Sequence, residues 1–283
     1  MTGGWEGERA GSGFLKQDLK RRLMQLGCPL SDAVLFAGLS EWEWAICCGA
    51  ALLAGGVRGF AGFGLSAVAM ACLVLILPPV ELIPILYVME SAASLVMFRG
   101  GMRDADMSHV WPLAIGSFIG MPLGLMATVT VSPDLSKLIA VLVILTLTLL
   151  QFSRSMPAAL TNKTGRYVVG TTAGIVTGLA SVGGMVVALY VLASRSPATQ
   201  MRAALTMFLF IGMFTTLGHM VLYGVMTETA IVRGMILAPF ALAGVFLGAW
   251  AFRPSLQIYY RRFCLGLLIA ICLSSLVRLA FGA

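Results

Sequence analysis

Residues 54–78, AGGVRGFAGFGLSAVAMACLVLILP, constrain this chain more than any other stretch. The run is apolar enough for lipid, yet Gly55, Gly56, Gly59, Gly62 and Gly64 weaken its backbone, and a full positive charge, Arg58, sits inside the weak point. The stretch then recurs without a gap at residues 173–197. Ala54, Gly55, Val57, Gly59, Ala61, Gly64, Val68, Ala69, Leu73 and Pro78 fall on Ala173, Gly174, Val176, Gly178, Ala180, Gly183, Val187, Ala188, Leu192 and Pro197. A hydrophobic segment that is interrupted twice in the same way is the signature to be explained.

Lipid offers no hydrogen bonds, so backbone that leaves the helix inside a membrane faces protein or a water-filled cavity. Where a helix restarts, its first amides lack carbonyl partners and its dipole adds roughly half a positive charge, which makes an anion site. Two such restarts, near Leu65 and Ser66 and near Gly184 and Met185, are expected to meet at the midplane, as in transporters with discontinuous helices. The candidate substrate ligands are therefore Arg58, Gly59, Gly62, Gly64 and Ser66 in one copy and Thr177, Ser181, Gly183 and Gly184 in the other. Arg58 can donate several hydrogen bonds to an oxyanion, and its counterpart Thr177 is a neutral donor. Glycines at this spacing also serve as helix-packing faces. The alternative for Arg58 is to snorkel to an interface or to pair with an acid merely to neutralise itself.

That the chain spans a membrane follows from composition: 59% of residues are hydrophobic and only 11% charged, where soluble domains carry about 25%. Mean hydropathy is +0.94. The fold expected is an all-α polytopic membrane protein of two inverted repeats, each of about five helical segments with a broken pair. A basic amphipathic or merely solvated tail covers residues 1–43. The first repeat takes 44–153, a polar connector 154–166 and the second repeat 167–283. The first copy gives segments near 44–57, 65–77, 82–98, 110–131 and 135–152; the second gives 167–180, 184–193, 201–225, 231–252 and 263–281. Five crossings per copy is odd, so the second copy is inverted, which gathers Arg99, Arg103, Arg154, Lys163, Arg166, Arg195, Arg202, Arg253, Arg261 and Arg262 on one side. The basic tail fits the opposite scheme, in which each broken pair crosses once.

Glu90 lies in the middle of its span. It reads as a proton-coupling group, as a fixed partner for Arg58, or as a polar residue near a misplaced helix end. Glu81 follows Pro79 and is assigned no role, and His219 reads as a hydrogen-bonded structural residue. The net charge of +7 is spread over short loops, which argues against nucleic acid as a partner. Neither cofactor nor metal is expected: Cys47, Cys48, Cys72, Cys264 and Cys272 sit in apolar segments, and His109 and His219 lack ligand spacing. No nucleotide, hydrolase or metalloprotease motif is present, so an enzyme is not expected.

The chain resembles the TauE/SafE family of sulfite exporters and related anion permeases. The resemblance rests on Gly55-x-x-x-Gly59-Phe60-Ala61-Gly62-Phe63-Gly64 followed by Pro78-Pro79, on Arg103-Asp104 leading into Pro112-Leu113 and Gly120-x-Pro122-x-Gly124, and on Gly174-x-x-x-Gly178, Gly183-Gly184, Pro197 and Arg202. It covers nearly everything from Trp44 onward. One departure is that Met185 and Val186 stand where the family pattern often has prolines. The resemblance implies a multi-pass plasma-membrane protein that moves sulfite, a sulfonate or a related organic anion outward. Protons are the candidate coupling ion, and a homo-oligomer is compatible with the pattern. An anion channel and a non-transporting receptor or assembly subunit are the competing functions.

Overall fold

The computed structural model describes residues 39–153, 162–193, 198–251, 265–266 and 268–277. The tail before residue 39, most of the polar connector, Pro197 and the basic residues Arg154, Arg195, Arg253, Arg261 and Arg262 lie outside them. Two units divide the chain, Met1–Trp44 and Ala45–Ala283. In the first, the described residues form a capping box: Ser40 N donates to Glu43 Oε2 at 2.7 Å and Glu43 N to Ser40 Oγ at 3.4 Å.

All regular structure among the described residues is helical. The elements are α1 (Glu41–Ala61), α2 (Leu65–Leu73), α3 (Pro79–Asp104), α4 (Met107–Thr130), α5 (Pro133–Ser153), α6 (Lys163–Ala180), α7 (Gly183–Ala193), α8 (Ala198–Leu222) and α9 (Glu228–Ala251), with a shorter apolar helix, α10 (Leu268–Val277). Six of them are long and apolar enough to cross a membrane: α1, α3, α4, α5, α8 and α9. By contrast α2 has 9 residues and α7 has 11, about 14 and 16 Å at 1.5 Å per residue, against a hydrocarbon core of about 30 Å.

Local chemistry sets the ends. Pro79 opens α3 at the first helical position, where its missing amide is not needed. Asp106 caps α4 by accepting from Ser108 N at 3.0 Å, and Asn162 caps α6 by accepting from Gly165 N at 2.6 Å. Beyond α1, Gly62 (φ 83) and Gly64 (φ 96) take left-handed backbone that suits glycine. Ser181 (φ 58) does the same after α6 without that freedom.

Small residues then bring helices into backbone contact. α1 and α9 run parallel: a Cβ on Gly55 would lie 2.0 Å from Ala241 O and one on Gly59 2.0 Å from Val245 O, while Gly244 and Gly248 face Leu52 and Gly56 in return. The pair α4 and α6 is built alike, with Gly120 on Thr171 O and Gly124 on Ile175 O, each at 2.0 Å. Thr128 Oγ1 donates across that seam to Gly178 O at 2.9 Å. Such approach earns dispersion contact that larger side chains would prevent. The opposite face of α4 presents Ile119, Leu123 and Met126, all exposed, as a surface for lipid. α3 and α8 run antiparallel, because Gly101 meets Thr206 while the Phe98 ring stacks on Phe210 at 4.2 Å.

Glu81 is not the idle residue expected from its sequence position. Its carboxylate holds Arg233 Nη1 at 2.8 Å and ties the start of α3 to α9. His219 Nδ1 lies 2.8 Å from Thr215 O, and its ring packs on Phe118 at 4.9 Å.

Gly120→Ala is expected to destabilise the protein by about 1–3 kcal/mol, because the backbone of α6 has to withdraw. Gly49→Ala, where nothing lies within 4 Å, is expected to be neutral or to gain up to about 1 kcal/mol of helix propensity. Thermal unfolding of the two variants in one detergent compares them. At the α4 cap, hydrogen bonds from Ser108, with a smaller contribution from His109, hold the Asp106 carboxyl below its ordinary range. Its contribution is complete above the unfolded carboxylate value and lost as pH falls through the folded one. Asp106→Ala is therefore expected to lower the unfolding temperature at neutral pH and Asp106→Asn, which keeps the cap, to lower it less.

Candidate functional site

The end of α1 places a charge where water is absent. Arg58 is 0% exposed, and its guanidinium is occupied on three sides. Nη1 donates to Gly62 O, Nη2 donates to Ser94 Oγ at 3.0 Å, and Nε lies 3.1 Å from Glu90 Oε1. The last contact is an ion pair whose alignment falls short of a hydrogen bond. The other carboxylate oxygen, Glu90 Oε2, accepts from Ser66 Oγ at 2.9 Å. One cluster thus fastens the end of α1, the first turn of α2 and the middle of α3. Since α2 begins beside Glu90 and ends at Leu73, a short link before Pro79, it runs back along α3 toward that helix's start.

Energetics favour so complete a set of partners. A buried guanidinium stripped of its acid would be an uncompensated charge, and removing one member of such a pair costs about 3–5 kcal/mol. The paired carboxylate is the outer member: the Glu90 side chain is 14% exposed and Arg58 not at all.

What Glu90 faces is a cleft between the two glycine-rich interruptions, with Ala67, Val182 and Leu209 as its apolar lining. Gly64, Ser66 and Glu90 line it from one side, and Ser181, Gly184 and Met185 from the other. It adjoins a second space of about 50 Å³ where Thr177 and Gly183 join, together with Tyr87, Ser91, Ser117 and Thr216. Among the described lining residues the titratable groups are Glu90 and Tyr87.

Of the sequence-predicted ligands, Gly64, Ser66, Thr177, Ser181, Gly183 and Gly184 line this cleft and the space beside it, as does Glu90, the candidate coupling group. Arg58, Gly59 and Gly62 are not among its lining residues. Arg58 stands behind Glu90. Gly59 faces the backbone of α9 and accepts from Arg202 Nη2, and Gly62 O is taken by Arg58. Gly183 is tight as well as lining, since a Cβ there would meet Thr177 Oγ1 at 2.0 Å. Thr177 Oγ1 in turn donates to Ala173 O at 2.7 Å. Met185, in the first turn of α7, offers its carbonyl to Gln151 Nε2 at 2.9 Å, so α5 braces that restart.

Ser94, Tyr87 and Ser91 did not stand out in the sequence, although a signal was there. Tyr87, Glu90, Ser91 and Ser94 recur at i, i+3, i+4 and i+7, a polar stripe along an otherwise apolar helix. Arg202 was visible as a basic residue for topology and as part of the family pattern, not as a neighbour of Gly59.

A match to the family model described as sulfite exporter TauE/SafE extends over residues 47–275. The chain belongs to the TauE/SafE sulfite exporter family. No curated protein and no solved structure matches it. As a TauE/SafE protein it is a multi-pass membrane transport protein and not an enzyme. The matched residues span both glycine-rich interruptions and the Arg58–Glu90 cluster. No group of His, Cys, Asp or Glu able to hold a metal occurs among the described residues of this TauE/SafE chain.

Glu90→Gln is expected to lower stability by about 3–5 kcal/mol, because Arg58 then remains buried without its counter-charge. The double change Arg58→Met with Glu90→Gln is expected to recover most of that loss. Unfolding temperatures of the wild type, both single variants and the double variant in one detergent give the coupling directly.

Proposed function

We propose that this chain is a secondary transporter in the plasma membrane that exports a small oxyanion, sulfite, a sulfonate or a related organic acid. The anion binds in the cleft between the two interruptions. The observation that carries the reading is the meeting of both interruptions at one cleft, where Ser66 and Ser181 lie beside Glu90 with a buried guanidinium behind it. The first-turn amides of α2 and α7 supply donors there. Ser181 supplies a hydroxyl, Ser66 supplies a second once its proton is released from Glu90 Oε2, and Arg58 supplies the charge; the Thr177 hydroxyl stays committed to Ala173 O.

In this reading Glu90 sets the condition for binding. A monoanion about 4 Å from ionised Glu90 meets a repulsion of about 4 kcal/mol at an effective dielectric of 20. That is about a thousandfold in affinity, more than a few neutral hydrogen bonds return. The anion therefore enters when Glu90 carries a proton, which also turns Arg58 from its carboxylate toward the cleft. Tyr87 is the other titratable group on the cleft, and Arg58 is the charge facing Glu90 from α1. Binding of the anion and of the proton assist one another.

The protein alternates access by moving one repeat against the other. Two observations support repeats of opposite sense: α3 and its counterpart α8 run antiparallel, and each repeat's first helix pairs through glycines with the fourth helix of the other, α1 with α9 and α6 with α4. Each short helix, α2 or α7, then turns back within the membrane as half of a hairpin.

In proteoliposomes, outward flux of sulfite is expected to saturate with concentration and to support exchange against trapped anion. Arg58→Ala is expected to reduce it at least tenfold. With methanesulfonate, whose charge does not change near neutrality, wild-type flux is expected to rise as pH falls and Glu90→Gln flux to be nearly independent of pH. A Glu90→Gln protein that keeps the full pH dependence removes Glu90 from the coupling, and flux that never saturates identifies a channel.

A further inference from the structure

A larger recess lies apart from the central cleft. It holds about 340 Å³ of space between the second half of α3, the first two turns of α8 and the last turns of α9. The range is that of organic ligand sites, which begin near 300 Å³, whereas the space adjoining the central cleft, at about 50 Å³, has room for only a few atoms.

The lining divides by chemistry. Arg202 and Thr199 bring a guanidinium and a hydroxyl, Thr206 Oγ1 donates to Arg202 O at 2.9 Å, and Met97, Val245 and Phe246 form an apolar wall. Asp104 also lines the recess and is exposed. Arg202 is more enclosed: Nη2 donates to Gly59 O, and its side chain packs under Gly62, where a Cβ would come within 2.6 Å of Arg202 Cγ. The guanidinium thus touches the backbone of the same interruption that carries Arg58. The face of α8 that begins with Thr199, Arg202 and Thr206 continues through Leu209, Met213 and Thr216 into the central cleft.

We infer that this recess is a second binding site, for a soluble organic anion whose oxyanion head lies on Arg202 and the Thr199 hydroxyl and whose apolar body lies against Met97, Val245 and Phe246. A bare oxyanion leaves the apolar wall uncovered, so the site prefers anions with several carbon atoms. It shares with the proposed transport function only the negative charge of the ligand, and its occupancy is measured without transport.

The test is equilibrium binding of hexanesulfonate, with sulfate as the bare-anion control, to the purified full chain in phosphatidylcholine nanodiscs. Hexanesulfonate is expected to bind at least tenfold more tightly than sulfate. Arg202→Gln, which keeps a donor for Gly59 O, is expected to weaken it about tenfold or more. Ala249→Phe, which fills the recess without touching a charge, is expected to abolish it. Equal affinity for the two anions, or binding that survives both substitutions, overturns the inference. Absence of hexanesulfonate binding together with retention of phosphatidylglycerol assigns the recess to a lipid headgroup and overturns it too. Loss of sulfite flux in proteoliposomes with hexanesulfonate binding intact would defeat the transport reading and leave this site standing.

Discussion

A guanidinium with no access to water has to find an acid, and in this molecule that requirement fixes the relative positions of three helices. Arg58 reaches Glu90 and Ser94 on α3 while holding Gly62 O at the end of its own helix. Ser66 binds the same carboxylate from the first turn of α2. Gly62 and Gly64, with φ of 83 and 96, let the chain leave α1 and begin α2 over so short a link. A Cβ at either would strain that turn. The pair is a weak contributor to net stability, because desolvating two charges costs nearly what their attraction returns. It does specify one geometry, since breaking it would leave a bare charge in the membrane.

Glycine settles the next level of organisation. Without a hydrophobic drive between helices in lipid, association rests on packing, and packing is densest where backbones touch. Gly55 and Gly59 against α9, and Gly120 and Gly124 against α6, give two seams of one construction. The seams cross between the halves of the sequence, so neither half forms its closest helix pair by itself. That arrangement accounts for residues 45–283 forming one compact unit despite a polar connector in the middle.

Much of the helical architecture was legible because apolar length is a strong signal, and the ends were less so. The third segment, expected over 82–98, runs as α3 from Pro79 to Asp104. Proline is welcome at a helix start, and Arg99 and Arg103 extend a helix beyond the apolar layer without cost to it. The second segment, expected to reach residue 77, ends as α2 at Leu73 and continues as turns, with Ile76 N and Leu77 N both donating to Leu73 O, before Pro78 stops it. At the site, the meeting of Gly64 and Ser66 with Ser181 and Gly184 could be anticipated from the repeat. The position of Arg58 behind Glu90 could not, because composition does not reveal which of two opposite charges faces the cleft. The bonds Arg202 to Gly59 O and Glu81 to Arg233 join residues 143 and 152 positions apart, and no local pattern announces such a pairing.

A functional role for this ion pair requires that an anion and a carboxylate compete for one guanidinium, so that occupying the cleft draws a proton onto Glu90. Sulfite itself exchanges protons near neutrality, which makes methanesulfonate the cleaner ligand. The decisive measurement is the number of protons taken up per methanesulfonate bound, obtained by calorimetry at one pH in buffers of different ionisation enthalpy. The account predicts close to one proton for the wild type and none for Glu90→Gln. Binding of methanesulfonate to the wild type with no proton uptake would contradict it.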